Sequence, residues 1–180
     1  MIVGPEPIAP PAIAITAMRR RHVRSVMTIE TSVYPKPWTS SLFLSELALP
    51  ASRCYLVARA HRTIVGYAGI MFAPDEAHVT TIAVDQRWQR RHVATQLLLR
   101  LTREAIDRNY TALTLEVRVS ARGAQGLYRR FGFTPEGARK DYYAEPTEDA
   151  IVMWVRGIDT PTYAELLAGL ERRARSETAP

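Results

Sequence analysis

The chain has 180 residues, of which 47% are hydrophobic and 23% are charged. That length suits one domain with a sizeable core, and that composition is typical of a globular protein in water. No apolar run reaches the roughly 18 residues that a membrane-spanning helix needs. The N-terminal stretch MIVGPEPIAPPAIAI lacks the basic leader and clean apolar segment of a signal peptide. We therefore expect a cytoplasmic protein without a membrane partner.

The net charge of +6 comes almost entirely from arginine. Attraction of an anionic cofactor, contact with nucleic acid and the base composition of the coding genome are three explanations for it. The arginines are dispersed, which makes a nucleic-acid partner unlikely. The exception is the run Arg19-Arg20-Arg21-His22, which opens a predicted helix and is typical of a solvated face.

The single cysteine, Cys54, excludes an internal disulfide and agrees with a reducing compartment. Its place before an apolar strand favours a buried small hydrophobic residue over a nucleophile. The four histidines His22, His61, His78 and His92 lack the spacing of metal ligands, so we expect no metal.

Hydrophobic periodicity and turn residues predict an alternation of strands and helices. In the first half of the chain we expect an irregular tail (1–11), a strand (12–17), two helices (20–31 and 41–48, the second capped by Thr39 or Ser40) and three strands (55–60, 64–72 and 77–84). An amphipathic helix follows, with apolar residues from Ala94 to Ala105, and then a strand (112–119) and a helix (121–130). The chain ends with two closing strands (133–139 and 150–155) and a last helix, in which Thr162 and Glu165 have the spacing of a capping box.

The stretch from Thr81 to Arg103 joins a predicted strand end to a predicted helix through the basic turn Gln89-Arg90-Arg91-His92-Val93-Ala94. The start of a helix presents unpaired N–H groups and the positive end of its dipole, so it can hold a phosphate. Arg90 and Arg91 can add charge-assisted hydrogen bonds to the same anion. The alternative is a solvated basic turn before an ordinary core helix.

This turn resembles the pyrophosphate-binding loop of the GNAT acetyltransferases, which use acetyl-coenzyme A and carry the signature Q/R-x-x-G-x-G/A. Here the sequence is Q-R-R-H-V-A, so His92 replaces the first glycine. The family's glycine lets the backbone approach the pyrophosphate, and a side chain at that position has to point away. The backbone N–H is retained, so the resemblance implies a coenzyme A site with weaker binding.

Acetyl transfer from a thioester to an amine requires a base for the amine, donors for the carbonyl oxygen and an acid for the departing thiolate. Glu116 on a predicted mid-sheet strand is a candidate base, and Tyr128 on the following helix is a candidate acid. The alternative for Glu116 is a polar-face carboxylate paired with Arg118 or with solvent. The alternative for Tyr128 is a core tyrosine with a satisfied hydroxyl.

Several segments occur in a fixed order along the second half of the chain. They are Leu115-Glu116-Val117-Arg118, Leu127-Tyr128, Phe131-Gly132-Phe133, Asp141-Tyr142-Tyr143 and Glu148-Asp149-Ala150. This series resembles the RimI-type N-terminal alanine acetyltransferases, which modify a small-subunit ribosomal protein, and their relatives among protein N-terminal acetyltransferases. Tyr34-Pro35-Lys36-Pro37-Trp38 is similar to that family's Phe-Pro-Trp substrate loop, and Ile82-Ala83-Val84-Asp85 is similar to its cofactor-binding strand end. The resemblance covers roughly residues 13–156.

The resemblance implies a role for each matching residue. Glu116 is the implied general base, acting through water, and Tyr128 is the implied general acid toward the coenzyme A sulfur. The implied cofactor-binding residues are Ile82, Ala83 and Val84 for the acetyl thioester, and Arg90, Arg91, His92, Val93, Ala94 and Thr95 for the pyrophosphate. The implied peptide slot is formed by Tyr34, Trp38, Tyr142 and Tyr143, for which aromatic packing is the alternative.

We therefore expect an α/β (α+β) GNAT fold, in which residues 12–157 form one domain with a twisted, mixed, mostly antiparallel sheet and residues 158–180 add a helix and tail. The implied acceptor is a protein or peptide N-terminus, with a ribosomal protein as one candidate. A lysine side chain or a small-molecule amine is the nearest alternative. A GNAT-like module that binds coenzyme A without efficient catalysis is a second, since His92 and Ala121 both depart from the family's cofactor contacts.

Overall fold

A computed structural model describes residues 12–176, and the predicted tail at residues 1–11 lies outside them. The strands are β1 (Ile13–Ala17), β2 (Arg53–Ala60), β3 (Thr63–Phe72), β4 (Ala77–Val84), β5 (Ala112–Arg118), β6 (Thr134–Ala144) and β7 (Thr147–Arg156). The helices are α1 (Val23–Val33), α2 (Ser40–Leu47), α3 (Val93–Asp107), α4 (Arg122–Arg130) and α5 (Pro161–Ser176), with short 3₁₀ turns at Arg20–His22 and Gln86–Trp88. In this part of the chain, no helix is long and apolar enough to cross a membrane.

All seven strands form one sheet in the order β1-β2-β3-β4-β5-β7-β6. Every neighbouring pair is antiparallel except β4 and β5, which are parallel and share only two residue pairs, Ala77 with Leu113 and His78 with Thr114. Beyond those pairs the two strands separate and leave an opening in the middle of the sheet. The predicted mixed, mostly antiparallel sheet is confirmed.

Each face of the sheet is covered by helices. On one face α3, α4 and α5 complete a large apolar core in which Leu97, Leu101 and Phe131 are fully buried. On the other face α1 and α2 cover a smaller aromatic core built around Phe43 and Tyr67. The rings of Phe43 and Tyr67 meet edge to face at 5.6 Å. The opening between β4 and β5 therefore lies between two rigid layers.

The last helix packs on the domain rather than extending from it. Leu167 and Leu170 of α5 are buried in the larger core, and the Tyr163 hydroxyl donates to the Phe131 carbonyl at 2.8 Å. The predicted Thr162–Glu165 capping box is wrong, because the cap is Thr160, whose hydroxyl accepts the Tyr163 N–H at 3.3 Å. Proline is favoured at the first helical position, so α5 begins at Pro161, earlier in the chain than predicted.

Two other local predictions need adjustment. Val119, the last residue of the predicted strand at 112–119, lies beyond the end of β5 with 49% of its surface exposed. Strand β6 extends beyond the predicted end at residue 139 to Ala144, because β7 continues to pair with it. Tyr142 and Tyr143 therefore lie on a strand. Cys54 is half-buried in β2, and burial raises the pKa of its thiol to about 11. That shift agrees with a structural rather than a nucleophilic cysteine.

Candidate active site

Two cavities meet at the opening between β4 and β5. The first, here called the aromatic cavity, has a volume of about 290 Å³ and is lined by Tyr34, Trp38, Tyr142 and Tyr143 together with Glu30 and Glu116. The second, here called the helix-start cavity, has a volume of about 580 Å³ and lies beside the start of α3. Two residues line both cavities, Ile82 of β4 and Tyr128 of α4. The two spaces therefore adjoin at these side chains.

Glu116 projects from β5 with only 6% of its side chain exposed. His78 Nε2 lies 2.8 Å from Glu116 Oε2, and Arg139 Nε lies 3.0 Å from Oε1. The hydrogen bond from His78 lowers the pKa of Glu116 against the opposing effect of burial, and the charge of Arg139 adds to the lowering. The carboxylate is therefore held in its ionised form. Arg118, the partner considered from the sequence, pairs with Glu148 instead, at 3.1 Å.

Tyr128 lies on the buried face of α4, with 8% of its surface exposed. Its ring packs against Phe133, with centroids 5.8 Å apart. Burial is the main cause that raises the pKa of Tyr128, and the neighbouring Tyr34 and Tyr143 add to it. The hydroxyl therefore stays protonated at neutral pH and can donate a proton.

Tyr34 and Trp38 belong to the loop between α1 and α2, which is fixed to β4 at its first end and to α1 at its second. The Tyr34 hydroxyl donates to the carbonyl of Ile82 at 2.9 Å. The backbone N–H of Trp38 donates to Glu30 Oε1 at 2.6 Å, and the Tyr67 hydroxyl donates to the other carboxylate oxygen of Glu30. Burial raises the pKa of Glu30, which is 2% exposed. Sequence reasoning missed this carboxyl because it falls within the ordinary pattern of a helix.

Tyr142 and Tyr143 form the opposite wall of the aromatic cavity. Their rings meet edge to face at 5.1 Å. The Tyr143 hydroxyl donates to the backbone carbonyl of Glu116 at 3.4 Å, and the Arg118 guanidinium lies 3.9 Å from the centre of its ring. Burial raises the pKa of Tyr143 to about 12. The four aromatic residues predicted as a peptide slot thus surround one space together with Glu116.

The helix-start cavity gathers most of the residues predicted to bind the cofactor. From β4 it is lined by Ile82, Ala83 and Val84, and from the turn and α3 by Arg90, His92, Val93, Ala94 and Thr95. Arg91 lies outside it and extends over the Trp88 ring, 5.1 Å from its centre. The first turn of α4, at Gly123 and Ala124, forms the facing wall and was not predicted.

Comparison with known proteins agrees with this geometry. Residues 23–133 match the model of the Acetyltransferase (GNAT) family. The chain belongs to the GNAT acetyltransferase family. It is 37% identical over 142 residues to the putative ribosomal protein bS18-alanine N-acetyltransferase of Bacillus subtilis, covering 79% of this chain and 94% of that protein. It is 35% identical over 148 residues to the N-alpha-acetyltransferase RimI of Mycobacterium tuberculosis, covering 78% and 90% of the two chains.

The fold comparison gives the same family. The crystal structure of the ribosomal-protein-S18-alanine N-acetyltransferase of Escherichia coli superposes with a TM-score of 0.74 at 28% identity, covering 81% of this chain and 94% of that one. This GNAT protein is accordingly a RimI-like, acetyl-coenzyme A-dependent N-acetyltransferase. Among residues 12–176, no group of three or more histidine, cysteine or acidic side chains is placed to hold a metal ion.

The helix-start cavity of this GNAT enzyme suits acetyl-coenzyme A. The first turn of α3 offers backbone N–H groups that have no acceptor within the helix, and Arg90 adds a positive charge beside them. The separated edge of β4 offers further backbone groups along the cavity wall. The N–H groups and Arg90 at the helix start suit a pyrophosphate, and the backbone groups of β4 suit an extended thioester arm.

His92 occupies the glycine position of the family signature in a left-handed conformation, with φ +57° and ψ +13°. Glycine reaches this region freely, whereas other residues pay about 1–2 kcal/mol for it. The turn therefore has a backbone conformation that glycine adopts freely, with histidine in a strained position. Arg90 two residues earlier is also left-handed, at φ +57°.

Ala121, the second departure from the family pattern, is the residue before α4 and makes no side-chain cap. The buried Gln125 instead ties the start of α4 to the end of β5. Its side-chain amide donates to the carbonyls of Arg118 and Val119 at 3.0 and 2.9 Å. Gln125 therefore holds the start of α4, the helix that carries Tyr128, against the end of β5.

Proposed function

We propose that this GNAT enzyme transfers acetyl to the N-terminal α-amine of a protein, with a ribosomal protein as its acceptor, and that Glu116 and Tyr128 carry the proton transfers. The observation that supports this most directly is that Ile82 and Tyr128 line both cavities. An amine in the aromatic cavity and a thioester from the helix-start cavity would meet at these residues. The bS18-alanine acetyltransferases among the relatives support this choice of acceptor.

The aromatic cavity receives the amino end of the acceptor chain. Tyr34 and Trp38 form one wall and Tyr142 and Tyr143 the other, so an extended peptide end is enclosed by aromatic surface. Glu116 supplies a negative charge that attracts an ammonium group. Its carboxylate, held ionised by His78 and Arg139, accepts a proton from the ammonium through a water molecule.

The freed amine nitrogen attacks the thioester carbonyl carbon, so that a C–N bond forms and the C–S bond breaks. Backbone N–H groups along the unpaired edge of β4, at Ile82 to Val84, stabilise the negative charge that develops on the carbonyl oxygen. Tyr128, protonated because burial raises its pKa, gives its proton to the departing sulfur. The new amide nitrogen then releases its second proton through water to the Tyr128 phenolate, which restores the tyrosine. Arg90 and the N–H groups of Val93 to Thr95 hold the pyrophosphate.

Two substitutions test these roles. Glu116→Gln and Tyr128→Phe should each lower kcat for peptide acetylation by about 10²-fold or more, which is typical for loss of a general base or acid. Tyr163→Phe is the matched control, because it removes a buried tyrosine hydroxyl outside both cavities and should leave kcat unchanged. The assignment fails if both site variants keep normal turnover while their melting temperatures match that of the wild type.

A further inference from the structure

The last residue pair between β4 and β5 carries a side chain that reaches the proposed base. Pairing of the two parallel strands ends at His78 and Thr114, and Glu116 lies two residues further along β5, where the strands have begun to separate. Across this widening gap, His78 Nε2 lies 2.8 Å from Glu116 Oε2. The contact between His78 and Glu116 therefore bridges the narrow end of the opening.

His78 acts from behind Glu116 and not from within the site. It lines neither cavity, whereas Glu116 lines the aromatic cavity. Only 19% of the His78 side chain is exposed, compared with 57% for Arg139 on the other carboxylate oxygen. A partly buried contact is screened less by water, so His78 holds Glu116 more firmly than Arg139 does.

Other groups around Glu116 leave this role to His78. From β6, Arg139 contacts Oε1 and Tyr143 donates to the backbone carbonyl of Glu116. Burial raises the pKa of Tyr142, also on β6, and the nearby Glu116 charge adds to it. From β7, the residue paired with Glu116 is the apolar Val152. On β5 itself, Arg118 is turned toward Glu148.

We propose that His78 is a positioning residue for acetyl transfer, whose imidazole N–H fixes the Glu116 carboxylate at the narrow end of the β4–β5 opening. The proposal rests on the role of Glu116 as general base. A carboxylate with one oxygen fixed keeps a single orientation toward the cavity, and donors behind a catalytic group commonly set its geometry. A hydrogen bond to the charged form also favours ionisation.

The kinetic test compares His78→Leu, which removes the donor, with His78→Gln, which keeps an N–H donor that does not titrate. His78→Leu should lower kcat about 10- to 100-fold, as expected for a mispositioned base, while the KM for acetyl-coenzyme A stays unchanged. The acidic limb of the kcat/KM profile should move to higher pH, because Glu116 loses the contact that favours its ionised form. His78→Gln should recover most of kcat, and Arg139→Gln should move the limb less than His78→Leu, because Arg139 is more exposed.

A second readout does not depend on turnover. Carbon-13 NMR of labelled protein follows the Glu116 carboxyl directly, with Glu116→Gln to assign its signal, and its midpoint should rise in His78→Leu. An unchanged midpoint and an unchanged kcat in a folded His78→Leu protein would overturn the proposal, and so would a His78→Gln protein as impaired as His78→Leu. Normal turnover in Glu116→Gln would instead refute the role of Glu116 itself, so the two failures are distinguishable.

Discussion

The Tyr34 hydroxyl donates a hydrogen bond to the Ile82 carbonyl at 2.9 Å and so joins the loop after α1 to the edge of β4. Tyr34 lines the aromatic cavity, and Ile82 lines both cavities. One contact thus connects the proposed acceptor side of the enzyme to its donor side. Burial raises the pKa of Tyr34, so this hydroxyl remains a donor at neutral pH.

Tyr34→Phe should weaken acceptor binding while leaving the fold intact. Loss of one partly buried hydrogen bond corresponds to about 1 kcal/mol, or about a fivefold rise in the KM for an acceptor peptide. Steady-state kinetics with peptide and acetyl-coenzyme A varied separately measures it. Tyr110→Phe is the control, because it removes a similar hydroxyl-to-carbonyl bond, to Ala73 at 2.8 Å, away from both cavities. Equal KM values in the two variants would contradict the connecting role of Tyr34.

Glu30 should matter for acceptor binding although neither of its carboxylate oxygens is free. Glu30→Ala leaves the N–H of Trp38 and the hydroxyl of Tyr67 without their acceptor, and unpaired buried groups cost about 1–3 kcal/mol each. We expect a lower free energy of unfolding and a higher KM for the peptide, with the KM for acetyl-coenzyme A unchanged. Chemical denaturation and kinetics measure both.

The matched variant for Glu30 is Tyr67→Phe, which removes one donor but leaves the contact between Glu30 and Trp38. It should lower stability and leave the peptide KM near that of the wild type. If it raised the peptide KM as much as Glu30→Ala does, general destabilisation rather than the loop contact would explain the effect.

The strained turn at His92 gives a test of how well the coenzyme A site is formed. His92→Gly should raise the free energy of unfolding by about 0.5–1 kcal/mol, which is the relief of left-handed strain less the added flexibility of glycine in the unfolded chain. Because His92 already has the left-handed conformation that glycine adopts freely, the Kd of acetyl-coenzyme A should change by less than about threefold, equivalent to about 0.7 kcal/mol.

Calorimetric titration measures this Kd, and His61→Gly is the control. His61 is also left-handed, at φ +52°, in the turn between β2 and β3. It lines neither cavity. The His61→Gly variant should have a higher free energy of unfolding than the wild type and the same Kd for acetyl-coenzyme A. A large gain in affinity for His92→Gly would instead support the alternative of a weakened coenzyme A-binding module.

The contact between α5 and α3 should depend on pH. Hydrogen bonding from Arg103, at 2.5 Å, is the main cause that lowers the pKa of Glu171 below its ordinary 4.5, with Arg175 adding to it. The unfolded chain therefore binds this proton more readily, so the stabilisation is present above pH 4.5 and is lost as the pH falls through the lowered native value.

Glu171→Gln should lower the free energy of unfolding at neutral pH by about 0.5–1 kcal/mol, a modest value because the pair is partly exposed and screened by solvent. The difference from the wild type should shrink as the pH falls below 4.5 through the lowered native pKa of Glu171. Urea denaturation at neutral pH and at a series of acidic pH values measures it. A difference that persisted in acid would show that Glu171 acts through packing rather than charge.

Much of the fold could be predicted because the elements carry strong local patterns. The apolar stripe of α3 and the three strands β2 to β4 appear as predicted. Choices between similar local signals were less secure. The sequence predicted a cap at Thr162, whereas Thr160 caps α5, because Pro161 is favoured at the first helical position.

Side-chain partners across the sheet could not be predicted from local patterns. His78 and Glu116 lie on strands that are distant in sequence and adjacent only through the short parallel pairing of β4 and β5. Arg139 reaches the same carboxylate from the far side of β7, on the edge strand β6. The candidate base was visible as a residue type on a strand, but its partners required the three-dimensional register.

The most direct test of the proposed reaction is to map the acetyl group on the product. The purified enzyme would be given acetyl-coenzyme A and a bS18 amino-terminal peptide that has a free α-amine and an internal lysine, and the product would be sequenced by tandem mass spectrometry. The account predicts acetyl on the first residue only, no product when the α-amine is blocked beforehand, and loss of product with Glu116→Gln. Acetyl on the lysine, or equal acetylation of the blocked peptide, would contradict it.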